Sequence, residues 1–190
     1  MLDRRAAIRA LLADRRDLLV VAGLGSTTYD LASLGDDDRN FYLWGAMGGA
    51  AIIGLGLALA RPERRVAVIT GDGEMLMGLG ALATIGVMQP ANLAIVVFDN
   101  GLYGETGMQQ SHTARGTDLT GVARACGIGL VQEAGTLDEI GSLAGLLHRA
   151  DRTLFARIAI APSEPPRVLP SRDGVHLKLR FRRALGLPQQ

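Results

Sequence analysis

The sequence predicts an α/β fold: a doubly wound parallel sheet of about six strands with helices on both faces. Two observations carry this expectation. Short apolar runs at residues 18–22, 41–44, 66–70, 93–98, 129–133 and 153–160 alternate with helix-like stretches along the whole chain. Two of those runs, 66–70 and 93–98, flank one helix-like stretch at 74–88, the pattern of a βαβ unit with parallel strands.

Each element has its own signal. Residues 2–13 have helical spacing, and 18–22 is an apolar strand ending in Gly23-Leu24-Gly25-Ser26-Thr27-Thr28. Ser26 is placed to cap a short helix at 27–34. A polar turn at 36–39 leads to a strand at 41–44 and a buried helix at 47–60. Residues 41–60 carry no charge, the length of a membrane span. Five glycines and five alanines among those 20 residues, after an opening Phe-Tyr-Leu-Trp, favour a strand and a buried helix instead, with no membrane partner. Arg61-Pro62-Glu63-Arg64 breaks that helix in an exposed turn. Pro90 closes the helix at 74–88. Residues 100–116 form a long Gly-rich loop, followed by helices at 118–126 and 137–149 around the strand at 129–133.

With 190 residues the chain is one domain, large enough to bury a core without staples. Hydrophobic residues make up 48% and aromatics 4%, so the core is built of Ala, Leu, Ile, Val and Gly. The 25 glycines fall in no low-complexity tract and serve turns and close contacts. A net charge of +1 gives no support to nucleic-acid binding. A single cysteine, Cys126, excludes an internal disulfide or a cysteine metal site and reads as a small buried residue. Charge alternates with short apolar pieces over residues 1–17, which predicts no secretory leader, and a cytoplasmic home fits.

Composition changes after Ala161, so the division expected is a domain at 1–161 and a Pro-rich, basic C-terminal arm at 162–190. Pro162, Pro165, Pro166 and Pro170 disfavour regular structure, and the tail from Arg167 holds Arg167, Arg172, Lys178, Arg180, Arg182 and Arg183 against a single acid, Asp173. A basic tail of this kind is either disordered or packed. Alternation of Val175, Leu177, Leu179 and Phe181 with His176, Lys178 and Arg180 favours packing.

The chemistry concentrates at two strand ends. Gly71-Asp72-Gly73 follows one strand of the βαβ unit, and Asp99-Asn100 follows the other, 28 residues on from Asp72 to Asn100. The carboxyl edge of an open α/β sheet is where ligands bind. Asp72 offers a charged oxygen, Asn100 a neutral one, and the Leu102 carbonyl a third. That set suits magnesium, with diphosphate oxygens and water completing an octahedral shell. Gly73 leaves its N–H open to a phosphate at a helix start.

Gly71-Asp72-Gly73…Asp99-Asn100-Gly101 resembles the thiamine diphosphate-binding motif of thiamine-dependent enzymes, in which an Asn-Asn pair usually stands where Asp99-Asn100 stands here. Gly45-Ala46-Met47-Gly48-Gly49-Ala50 is similar to the segment upstream of that motif in the decarboxylase branch. There the residue matching Met47 bends the cofactor into its reactive V shape, and the carbonyl matching Gly45 accepts from its 4′-amino group. The loop Tyr103-Gly104-Glu105-Thr106-Gly107-Met108-Gln109-Gln110-Ser111-His112-Thr113 resembles one in the β chain of sulfopyruvate decarboxylase and in phosphonopyruvate decarboxylase. Ser171-Arg172-Asp173-Gly174 resembles a further segment of that group.

The resemblance implies a diphosphate-binding domain. Its cofactor contacts fall at Gly45, Met47, Gly71, Asp72, Gly73, Glu74, Asn100, Leu102, Tyr103 and Gly104, and its metal ligands at Asp72, Asn100 and Leu102. In that family a glutamate on a separate pyrimidine-binding domain completes the site. None of Glu63, Glu74, Glu105, Glu133, Glu139 or Glu164 lies in a segment resembling the one that bears it. The implication is half an active site in a hetero-oligomer, completed by a pyrimidine-domain (α-type) subunit and acting on a small anionic 2-oxo acid.

Several residues keep two readings. Met47 is a wedge under the cofactor or a core methionine. His112 donates to an anionic substrate or shuttles a proton, the catalytic reading, or is a satisfied loop histidine. Gly23-Leu24-Gly25-Ser26-Thr27 lends donors to the diphosphate or is a plain tight turn. His148 reads as surface, and His176 has no assigned role. A decarboxylase subunit leads as the function. Its rivals are a carboligase or other oxo-acid enzyme with the same cofactor, and a non-catalytic nucleotide-binding module. The last is disfavoured because no acid stands about 20 positions after Gly25.

Overall fold

The computed structural model describes residues 1–188; the last two residues of the expected arm, 189–190, lie outside it. In chain order the elements are α1 (Arg4–Leu11), β1 (Leu19–Ala22), α2 (Ser26–Ala32), β2 (Asn40–Tyr42), α3 (Ala50–Ala60), β3 (Val66–Gly71), α4 (Asp72–Met77), α5 (Ala81–Met88), β4 (Leu93–Asp99), β5 (Leu102–Tyr103), β6 (Gln109–Gln110), a 3-10 turn (Thr113–Arg115), α6 (Leu119–Ala125), β7 (Leu130–Ala134), α7 (Leu137–Arg149), β8 (Leu154–Ala159) and α8 (Gly174–Ala184).

Six strands form one parallel sheet in the order β2-β1-β3-β4-β8-β7. The chain runs outward from β1 to β2, then returns past β1 to β3, so the winding reverses between β1 and β3. That reversal opens a crevice at the carboxyl ends of those strands. Side chains alternate between the two faces of each strand. On β3, Ala67 and Ile69 pack with α1, α2 and α7, while Val66 and Val68 pack with α3, α5 and α6. Val20, Val21, Ile69, Val96 and Phe155 are fully buried, as strands covered on both faces require.

Polar caps fix the helix starts. The Asp3 carboxylate accepts from the Ala6 N–H at 2.8 Å, Asp118 accepts from the Gly121 N–H at 2.9 Å, and Thr136 with Glu139 closes a capping box on α7. Ser26 is not the cap expected of it. It is the first residue of α2, and Gly25, at φ +80°, takes the cap position. The helix expected from residue 47 starts at Ala50, since Ala46 and Gly48 hold positive φ and keep 43–49 irregular. No helix among the described residues is long and apolar enough to cross a membrane, and α3 spans 11 residues.

Three further expectations change. The single helix at 74–88 is two, α4 and α5, divided at Gly78. A Cβ on Gly78 would lie 2.1 Å from the Gly48 carbonyl oxygen, so the break admits the 43–49 loop. The loop at 100–116 contains a small antiparallel hairpin, with Leu102 opposite Gln110 and Tyr103 opposite Gln109. Cys126 is half-buried rather than buried, with its carbonyl against Gly86.

In the C-terminal segment, residues 162–173 have no regular structure and α8 follows. The segment 175–181, whose alternation favoured packing, lies in a helix that the Asp173 carboxylate caps at Val175 and His176. Leu177 and Phe181, one turn apart, are the buried pair, and Val175 points to solvent. Helix α8 covers the sheet edge at β2. Phe181 meets Phe41 at 5.3 Å between ring centroids, and buried Arg180 donates to the Asn40 carbonyl at 3.1 Å while pairing with Asp36. An otherwise open strand edge is thereby closed.

Candidate functional site

Strands β3 and β4 end side by side, with Gly71 paired to Phe98. Asp72 and the Asp99-Asn100 pair therefore leave the sheet together at its carboxyl edge. Met47, Gly71, Asp72, Gly73, Glu74, Asn100, Leu102, Tyr103 and Gly104 line one cleft there. Gly45 and His112 do not line it.

Asp72 is 2% exposed. Its Oδ2 accepts from the Ser111 hydroxyl and lies 3.2 Å from the Thr113 hydroxyl, which in turn sits 2.8 Å from Asp99 Oδ1. Asp99, 4% exposed, also accepts from the Gly101 N–H at 3.0 Å and pairs with Arg157 at 2.6 Å. Two carboxylates thus face each other across two hydroxyls that carry one proton each. Burial pushes the Asp72 carboxyl up, the Ser111 hydroxyl pulls it down, and the Asp99 charge pushes it up again. Asn100 Oδ1 accepts from the Leu102 N–H at 3.0 Å, an Asx turn that orients the amide and leaves a second lone pair.

Glu74 takes a different role in the architecture. Its carboxylate accepts from the Thr70 hydroxyl at 2.7 Å and the Ala50 N–H at 3.2 Å. A Cβ on Gly23 would lie 1.6 Å from Glu74 Oε2, so the first Gly of the β1 turn makes room for this carboxylate. Glu74 therefore fastens the ends of β1 and β3 to the start of α3. Burial raises its carboxyl pKa, and the Thr70 hydroxyl opposes that rise. Leu24, Ser26 and Thr27 of the same turn also line the cleft, while the Thr27 and Thr28 hydroxyls donate to the Gly23 carbonyl.

Tyr103 packs over Gly73, and its hydroxyl lies 3.2 Å from Nδ1 of exposed His112. Sequence reasoning singled out His112 and passed over its neighbours Ser111 and Thr113, the two that touch Asp72. Their signal was the i, i+2 spacing of two hydroxyls around a histidine in a hairpin return. Arg157 was missed as well, because its partner lies 58 residues away. Among the described residues no three His, Cys, Asp or Glu side chains form a metal cluster. The Asp72-Asn100-Leu102 set has a single carboxylate and is outside that class.

Residues 23–151 match the model of the thiamine pyrophosphate enzyme C-terminal TPP binding domain. The chain belongs to this family. The chain is 42% identical over 160 residues to a phosphonopyruvate decarboxylase of Streptomyces viridochromogenes, covering 84% of this chain and 40% of that protein. It is 47% identical over 110 residues to sulfopyruvate decarboxylase subunit beta of Methanocaldococcus jannaschii, 58% of each. Against the same subunit of Methanothermobacter thermautotrophicus it is 41% identical over 162 residues, covering 85% of this chain and 84% of that one. The chain thus spans about two fifths of the first relative and under two thirds of the second. Its fold matches the 4-hydroxybenzoylformate decarboxylase of Rhodococcus jostii with a TM-score of 0.72 at 21% identity, over 86% of this chain and 33% of that one.

Proposed function

We propose that this chain supplies the diphosphate- and magnesium-binding half of a thiamine diphosphate-dependent 2-oxo acid decarboxylase, completed by a pyrimidine-domain (α-type) subunit. The observation that carries the reading is the meeting of Asp72 and Asn100, from adjacent strand ends, in one cleft with Met47. The names of the relatives favour a small 2-oxo acid bearing a second anionic group, of the sulfopyruvate or phosphonopyruvate type.

Charge supports the cation. The charged side chains lining the cleft are Asp72, Glu74 and Glu105 against Arg4, and Arg4 is already bound to Asp30 at 2.6 Å. A diphosphate meets net negative charge there unless a divalent ion accompanies it. Asp72, Asn100 and the Leu102 carbonyl would hold magnesium as hard oxygen donors. Bound thiamine diphosphate would supply the electron sink for loss of carbon dioxide. Met47, half-buried at the cleft wall, would support the cofactor's shape, and the carbonyl of Gly45, on the same loop, would accept from its amino group. Tyr103, with Gly104 beside it, closes the cleft over Gly73. His112, with Nδ1 3.2 Å from the Tyr103 hydroxyl, is the candidate catalytic histidine of this loop.

A partner subunit is supported by exposed apolar side chains on one helical layer: Ile52 and Leu59 of α3, Met77 of α4, and Val87 and Met88 of α5. Reconstitution tests the reading. The chain with its pyrimidine-domain subunit, thiamine diphosphate and magnesium is expected to release carbon dioxide from sulfopyruvate or phosphonopyruvate. Carboligation without that release would favour the rival chemistry.

A further inference from the structure

Arg157 stands on β8 between two acids from the strands on either side. Glu133 is its register partner on β7, and Asp99 is its diagonal neighbour on β4. Its Nη1 lies 3.4 Å from Glu133 Oε2 and its Nε 2.6 Å from Asp99 Oδ2. Glu133 is itself held by the Thr120 hydroxyl at 3.0 Å. Asp99 is buried and turns its other oxygen to Thr113 and to the Gly101 N–H. Those two contacts bracket Asn100 and reach Asp72.

We propose that Arg157 is a positioning residue for the metal site, acting through Asp99 and Thr113 on Asp72 and Asn100. This rests on the reading of the site given above. The family's usual residue at position 99 is a neutral Asn, which accepts and donates without a counter-ion. An Asp there brings a second buried carboxylate beside Asp72, and an unpaired one would compete with Asp72 for the cation. Arg157 removes that competition. It neutralises Asp99 from the side away from the cleft and fixes the rotamer that leaves Oδ1 for Thr113 and Gly101.

The consequence is a specific dependence: Arg157 matters for metal and cofactor binding only while residue 99 is charged. Isothermal titration of the full chain with thiamine diphosphate in saturating magnesium tests it, beside the melting temperature of each cofactor-free variant. Arg157→Met should weaken binding about tenfold. Asp99→Asn/Arg157→Met should return to within about threefold of wild type, because the neutral amide needs no partner. Equal affinity of wild type and Arg157→Met overturns the proposal, as does a double variant that binds as weakly as Arg157→Met. A merely structural Arg157 would lower melting temperatures without this selective rescue of binding. If Arg157→Met does not fold, Asp99→Asn is compared with the double variant. Equal affinities support the proposal, and a loss in the double variant overturns it. Wild-type chain that binds no cofactor, alone or with its partner subunit, would instead sink the reading of the site itself.

Discussion

Tyr103 rests directly on Gly73: a Cβ built on that glycine would lie 2.6 Å from Cδ1 of the tyrosine ring and 3.7 Å from the Met47 methyl. Three segments distant in sequence therefore converge on one backbone position at the start of α4. The middle residue of the Gly71-Asp72-Gly73 turn is a ligand candidate, and the last is the floor on which the hairpin loop sits.

Gly73→Ala is expected to push the Tyr103 ring outward, because the ring yields more readily than the helix. Cofactor affinity should fall about tenfold while the melting temperature moves by only a few degrees. Calorimetry and a thermal melt on the same sample check both halves.

Asp72→Asn should separate stability from function. Burial and the Asp99 charge raise the Asp72 carboxyl above its ordinary value of 3.8. The folded state then holds this proton more tightly than the unfolded state does. The stability contribution is present below 3.8 and is lost as pH rises through the raised folded value. The variant carries no such charge, so at neutral pH it should be more stable than the cofactor-free wild type. The gain should open above about pH 4 and grow until the wild-type carboxyl is fully ionised. Urea melts from pH 4 to pH 8 measure it, and magnesium-dependent cofactor binding should be lost in the same variant.

Trp44 Nε1–H donates to the Ser171 carbonyl at 2.7 Å, and Arg172 stacks on the indole at 5.1 Å. The irregular residues before α8 are thus tied to the loop that bears Gly45 and Met47. Trp44→Phe keeps an aromatic ring and removes the donor, at a cost of about 1 kcal/mol. Limited proteolysis should then cut within 162–173 faster than in wild type.

Arg180 donates to the edge carbonyl of Asn40, pairs with Asp36 and covers Tyr42. Arg180→Met should cost about 2–3 kcal/mol by leaving that carbonyl without its charged donor. Cofactor affinity should not change, since these contacts lie at the β2 edge outside the cleft. Denaturant melts and calorimetry together distinguish this from damage to the site.

Much of this architecture is legible in the chain because local signals and tertiary demands agree. The apolar runs at 66–70 and 93–98 are the strands Val66–Gly71 and Leu93–Asp99, and Asp72 and Asn100 follow directly on their ends. What stayed hidden depends on contacts distant in sequence. Gly78 breaks a helix because Gly48, 30 residues earlier, needs the space. Residues 175–181 alternate like a strand, but the Asp173 cap and the apolar edge at Phe41 select a helix. The i, i+2 hydroxyls of Ser111 and Thr113 point to nothing by themselves, and they matter because the hairpin returns them to Asp72. Arg157 looks like any strand arginine until Asp99 is placed beside it.

The most direct measurement is titration of the chain, with its pyrimidine-domain subunit present, by thiamine diphosphate with and without magnesium. The account predicts saturable binding that disappears on chelating the metal and in Asp72→Ala, which should fold normally. Binding that survives chelation, or full affinity in folded Asp72→Ala, would contradict it.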